Sequence, residues 1–180
     1  MDTQPTVAEQ WEEQLRAVRA RIEQGGGRPG VVPAQEARGM SGLAIMEALL
    51  DGRFPYAHIA ETLDFFLVEV EKGKATFQGT PQAKHLNPMG TVHGGWYATL
   101  LDSALGCAVQ SLLPAGKAYT TAELKINIVR PLTDKTPLVR AEATIVHSGG
   151  RMATAEGRLT GSDGKLYAHG STTCFLLDHG

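Results

Sequence analysis

The stretch HLNPMGTVHGGWYATLLDSALG, residues 85–106, fixes the architecture of this chain. From His93 onward it is apolar on nearly every side, and it predicts one long helix from His93 to Leu113, closed by Pro114-Ala115-Gly116. A helix without a polar face must be surrounded by other structure. Between Val92 and Ala115 the only charged side chain apart from His93 is Asp102. A carboxylate in such a helix is costly unless it is paired or put to use. Asp102 is therefore a candidate general base or nucleophile, the plain alternative being a buried Asp that bonds an amide or a hydroxyl.

The helix opens with His93-Gly94-Gly95. A helix start presents unpaired N–H groups and a partial positive charge, and glycine lets a ligand come close to that backbone. Such a site suits a developing oxyanion. The plain alternative is a glycine pair that eases a sharp turn. Gly94 and Asp102 are eight residues apart, or roughly 12 Å along a helix axis. One chain cannot easily bring both to a single carbonyl, whereas a two-fold dimer with antiparallel helices can.

Outward from this helix the chain is mostly strand. Phe65 to Glu71 and Lys74 to Gly79 form two short segments around Lys72-Gly73. After the helix come Tyr119–Val129, Leu138–His147, Met152–Thr160 and Lys165–Leu177. Ser148-Gly149-Gly150 and Ser162-Asp163-Gly164 mark hairpins, so the sheet is expected to be antiparallel. Strict alternation along Tyr119–Val129 puts Leu124, Ile126 and Ile128 on one face and Thr121 on the other, unless a bulge re-aims it. The expected fold class is α+β, a curved antiparallel sheet wrapped around one long helix. Residues 1–60 have a different texture. Trp11, Leu15, Val18 and Ile22 recur at helical spacing over Val7–Gln24, Gly25-Gly26-Gly27 ends that helix, and a second helix is expected over Ser41–Leu50. The expected division is a helical extension, 1–60, on a main domain, 61–180.

Composition removes several function classes. Lys and Arg total 17 against 19 Asp and Glu, so no basic excess exists to grip nucleic acid. At 42% hydrophobic and 20% charged residues, the chain can bury a core. No His or Cys pair has metal-ligand spacing, and Cys107 and Cys174 are expected as buried thiols. The N-terminal MDTQPTVAEQ lacks a basic and an apolar signal region, so the expectation is a cytoplasmic protein without a membrane span.

The segment 85–106, with its Asn-x5-His-Gly-Gly-x6-Asp spacing, resembles the signature of hotdog-fold acyl-CoA thioesterases of the PaaI-like branch. TTAELKINIVRP, residues 120–131, is similar to that family's next strand, and the resemblance spans roughly Glu61 to Leu177. It implies hydrolysis of an acyl-CoA, aryl or medium-chain, to a free acid and CoA by homodimers, paired into homotetramers, with sites at the dimer interface. Coenzyme A then enters as part of the substrate, and no other cofactor is implied. By position, Asp102 resembles the catalytic carboxylate and Gly94 the backbone donor to the thioester oxygen. Asn87 and His93 resemble the loop residues that orient thioester and water, and Thr121 a hydroxyl near that water. Related branches carry a hydroxyl one turn after the carboxylate, where this chain has Gly106. Lys125, Arg130 and Arg151 are candidates for the CoA phosphates. Two other readings stand beside this one: a hydratase or dehydratase on the same fold, and a non-catalytic acyl-CoA-binding module.

Overall fold

The computed structural model describes residues 4–178, so the first three residues of the N-terminal stretch lie outside it. Four helices come first: α1 (Val7–Gln24), α2 (Ala34–Ala37), α3 (Gly42–Leu50) and α4 (His58–Leu63). Strands β1 (Phe65–Glu71) and β2 (Lys74–Gly79) follow, then the long helix α5 (Gly94–Gln110). Strands β3 (Lys117–Ile128), β4 (Val139–Ser148), β5 (Met152–Gly161) and β6 (Leu166–Asp178) come after it. All six strands pair antiparallel in the order β1-β2-β4-β5-β6-β3. Among the described residues no helix is long and apolar enough to cross a membrane.

The sheet curves around α5, as the all-round apolar character of that helix demands. Leu100, Leu101, Ala104, Leu105, Ala108 and Val109 are all fully enclosed. The helix stops at Gln110, three residues short of the predicted end. Ser111 Oγ donates to the Ala108 carbonyl at 2.8 Å and accepts from Gly73 N at 2.8 Å. The last turn then tightens through i→i+3 bonds at Leu112 and Leu113.

Helices α1 and α3 lie against the sheet on the β1 side. Leu15, Val18 and Ile22 of α1 form a small second core with Val68 and Leu138. Capping follows local chemistry: Thr6 and Glu9 make a reciprocal capping box on α1, and Ser41 accepts from Ala44 N on α3. Helix α3 is docked closely on the end of α5. Gly42 N donates to Leu113 O at 2.8 Å, and a side chain at Gly42 would overlap the Gln110 carbonyl. Trp96 Nε1 donates to the Leu63 carbonyl at 2.9 Å, tying α5 to the end of α4. The short helices α2 and α4 have no counterpart in the sequence reading, because neither is long enough to show a period.

Among the described residues, strand β3 forms one edge of the sheet and is paired only with β6. Its register slips by one residue between Thr121 and Glu123. Tyr119 and Thr121 therefore face α5 before the slip, and Leu124 and Ile126 pack on the core after it. Thr172 Oγ1 takes up the Glu123 carbonyl at 2.8 Å at this point.

Candidate active site

Asp102 sits midway along α5, half-buried, and faces the bulged part of β3. Thr121 Oγ1 donates to Asp102 Oδ1 at 3.2 Å. The straight-strand expectation for Thr121 is thus corrected: the bulge turns its hydroxyl onto the carboxylate. Burial pushes the Asp102 carboxyl above the ordinary carboxylate range, and the Thr121 hydrogen bond pulls partly back. Ser103 is not an assisting hydroxyl, since its Oγ donates to the Thr99 carbonyl at 2.9 Å.

A further hydroxyl stands where the sequence leaves a gap. The ring of Tyr119 covers Gly106, one turn after Asp102. A Cβ at Gly106 would overlap the Tyr119 hydroxyl and lie 3.0 Å from Cε2 and Cζ. Burial pushes the Tyr119 phenol well above its ordinary value, with Cys107, Cys174 and Asp102 adding to the effect, so it stays protonated. Gly106 in mid-helix was the available signal for this residue. A glycine there weakens the helix by about 1 kcal/mol and needs a packing reason.

The start of α5 is exposed at His93, Gly94 and Gly95. His93 is the N-cap, and its Nδ1 accepts from Gly95 N at 2.9 Å. The Gly94 N–H has no partner among the described residues, and no acidic side chain lies in the first turn. That amide is free to meet an oxyanion at the positive end of the helix. Asn87 is occupied within its own loop. Its Oδ1 accepts from Met89 N at 2.9 Å and Thr91 N at 3.3 Å, and its Nδ2 donates to Thr91 Oγ1 at 2.9 Å. One amide hydrogen of Asn87 is left over. The loop is held under the helix start by His93 N donating to His85 O at 2.8 Å and Val92 N to Leu132 O at 2.9 Å.

The three basic candidates are exposed and do not form one cluster within the chain. Lys125 lies in the middle of β3, opposite Ser171. Arg130 follows β3, and its N donates to Tyr167 O. Arg151 lies between β4 and β5, and its carbonyl accepts from Leu176 N, opposite Tyr119. The two arginines thus mark opposite ends of β3, roughly 30 Å apart at about 3.3 Å per residue. Among the described residues no group of three or more His, Cys, Asp or Glu is placed to hold a metal ion. The cysteines are free, and burial pushes the Cys107 thiol up to about 12.

The thioesterase superfamily matches residues 89–168, from the loop before α5 into β6. A Caenorhabditis elegans protein that carries the name of an esterase is 31% identical over 129 residues, covering 71% of this chain and 74% of that one. A phenylacetic acid degradation-related protein of Ralstonia eutropha JMP134 superimposes with a TM-score of 0.66, at 28% identity over 72% of this chain and 98% of that one. A single-site mutant of the phenylacetic acid degradation protein PaaI of Thermus thermophilus gives a TM-score of 0.60. It is 30% identical over 65% of this chain and 96% of that one. The chain belongs to the thioesterase superfamily, in its PaaI-like hotdog branch, and is a thioester hydrolase.

Proposed function

We propose that the protein hydrolyses an acyl-CoA thioester to the free acid and CoA, with Asp102 as the working carboxylate. The observation that carries this reading is the pairing of a half-buried Asp102 with Thr121 beside an apolar cavity, on the same helix as a Gly94 N–H that has no partner among the described residues. Because those two groups are about 12 Å apart along α5, the reading needs a dimer in which each Gly94 faces the partner's carboxylate. The free edge of β3, with Ile128 and Val129 about half exposed, is the surface that such a dimer would cover. Pairs of dimers would give a homotetramer.

In this mechanism the thioester carbonyl oxygen accepts from the Gly94 amide. Asp102 either takes a proton from water, whose oxygen then adds to the carbonyl carbon, or adds to that carbon itself. The tetrahedral oxyanion collapses, the C–S bond breaks, and CoA leaves as a thiolate that needs little acid assistance. In the direct-attack route, water then opens the acyl-Asp102 anhydride. Thr121 holds Asp102 in orientation and favours its ionised form. His93 and Asn87 hold the loop that presents Gly94. Arg130, Arg151 and Lys125 are the candidate contacts for CoA phosphates, divided between subunits. The test is Asp102→Asn in an assay of thiol release from acyl-CoA. A folded variant that kept near wild-type turnover would remove Asp102 from the mechanism.

A further inference from the structure

An apolar cavity of about 230 Å³ lies beside Asp102, and most of its lining comes from outside α5. From α5 and β3 come Asp102, Ser103, Cys107 and Tyr119. From the N-terminal helices come Ile22 of α1, Met46 and Leu49 of α3, and Tyr56, Ala57 and Ala60 in and before α4. Phenylalanines of β1 and β2 complete the lining. The extension is therefore more than an ornament on the main domain, since it closes a chamber that starts at the reacting carboxylate.

The chemistry of the walls restricts what the chamber accepts. Asp102 is the single acidic or basic side chain in the lining. The other polar groups are already occupied or uncharged. Tyr56 Oη donates to Glu61 Oε1 at 3.3 Å, and Ser103 Oγ is spent on the Thr99 carbonyl. The Cys107 thiol and the Tyr119 phenol both stay protonated. None of the lining groups from the N-terminal helices can receive a charge. Size sets a second limit. An engineered apolar cavity of about 150 Å³ takes benzene, so one half as large again takes roughly six to eight carbons.

We infer that the N-terminal extension is the acyl-specificity element of this enzyme: α1, α3 and α4 close a pocket for an uncharged, apolar acyl group of about six to eight carbons, straight or phenyl-bearing. This rests on the acyl-CoA reading above. Acyl chains of sixteen carbons exceed the pocket, and acyl groups with a terminal carboxylate find no partner in it.

The test uses the full chain and a series of acetyl-, hexanoyl-, octanoyl-, phenylacetyl-, palmitoyl- and succinyl-CoA. For the wild type, kcat/KM is expected to rise toward octanoyl-CoA by up to about fourfold per buried methylene, and to fall for palmitoyl- and succinyl-CoA. Leu49 is half-buried in the cavity lining, so it can be changed in both directions. Leu49→Trp fills the pocket and should lower the octanoyl-to-acetyl ratio of kcat/KM at least tenfold. Leu49→Ala deepens it and should move the optimum to longer chains. Both ratios staying within twofold of wild type would overturn the inference while leaving the hydrolysis intact. A second readout is independent of turnover: octanoate should raise the Tm of the wild type but not of Leu49→Trp. Stabilisation by octanoate that survives in Leu49→Trp, or is missing from the wild type, would also overturn it. Stabilisation lost in Leu49→Trp, in a protein that releases no thiol from any acyl-CoA, would support the pocket and defeat the proposed reaction.

Discussion

Replacing Gly94 by proline removes one hydrogen-bond donor and almost nothing else. Gly94 is the first residue of α5, the helical position at which proline is best tolerated. Its amide donates to no group among the described residues, so no internal hydrogen bond is lost. The preceding residue, His93, has φ −60° and ψ 137°, the extended conformation that a following proline requires. A Cβ at this position meets only Ile128 Cδ1, at an ordinary 3.4 Å. The Tm should therefore be unchanged or slightly higher, since proline narrows the unfolded ensemble by about 0.4–1 kcal/mol. Turnover should fall, because loss of one oxyanion donor costs roughly 100- to 1000-fold in kcat. Thiol release from octanoyl-CoA measures this, with Gly94→Ala, which keeps its N–H, as the control. Mixing then tests the shared site. Gly94→Pro and Asp102→Asn are each inactive alone, but a mixed dimer holds one site with both groups intact. Random re-association should restore about a quarter of wild-type activity, from half the dimers with one good site of two. A folded Gly94→Pro variant within threefold of wild-type kcat would refute the oxyanion assignment. Mixtures that stay inactive despite subunit exchange would refute the sharing.

Other outcomes follow from the same geometry. Thr121→Val removes the donor to Asp102 from an exposed position, a loss discounted to about 1 kcal/mol. Since that bond favours the ionised form, the acid limb of the pH profile should move upward, with kcat/KM there falling roughly fivefold and Thr121→Ser restoring it. A superimposable profile would show that the contact is idle. Asp102→Asn should melt higher than wild type at neutral pH. The folded-state pKa of Asp102 is raised, so the wild type loses stability as pH climbs from the ordinary carboxylate range through that raised value. The difference should vanish in acid, and melts across a pH series check this. Gly106→Ala should lower stability by about 1 kcal/mol, as overpacking against Tyr119 outweighs the helix gain, with partial recovery in Gly106→Ala/Tyr119→Phe by denaturant titration. Asn87→Ala should cost about 1–2 kcal/mol for its loop bonds, visible as a lower denaturation midpoint alongside any loss of turnover.

Much of the frame is legible from local pattern. Val7–Gln24 is amphipathic at one period with a glycine stop, and the helix starting at Gly94 is apolar without a break, so each announces its own length. The pair Asp102 and Gly94 is likewise visible, because a lone carboxylate and a glycine pair stand out against an apolar helix. What stays hidden depends on contacts between distant segments. Thr121 reaches Asp102 only because β3 slips against β6, and a ladder slip is a property of two strands, not of one. Tyr119 over Gly106 is a packing of strand on helix that no spacing encodes. The pocket draws on Ile22, Met46, Ala60 and Phe77, which no single periodic segment contains.

The slip in β3 also has a mechanical meaning. Two sections of one strand run in opposite phase: the part through Thr121 turns toward Asp102, and the part from Leu124 serves the core. Ala122 is the odd residue between them and works as a phase shifter. Deleting it would keep every core-facing residue after it in place while rotating Tyr119 and Thr121 away from α5. One alanine with no functional group of its own thus decides which side chains of β3 meet Asp102.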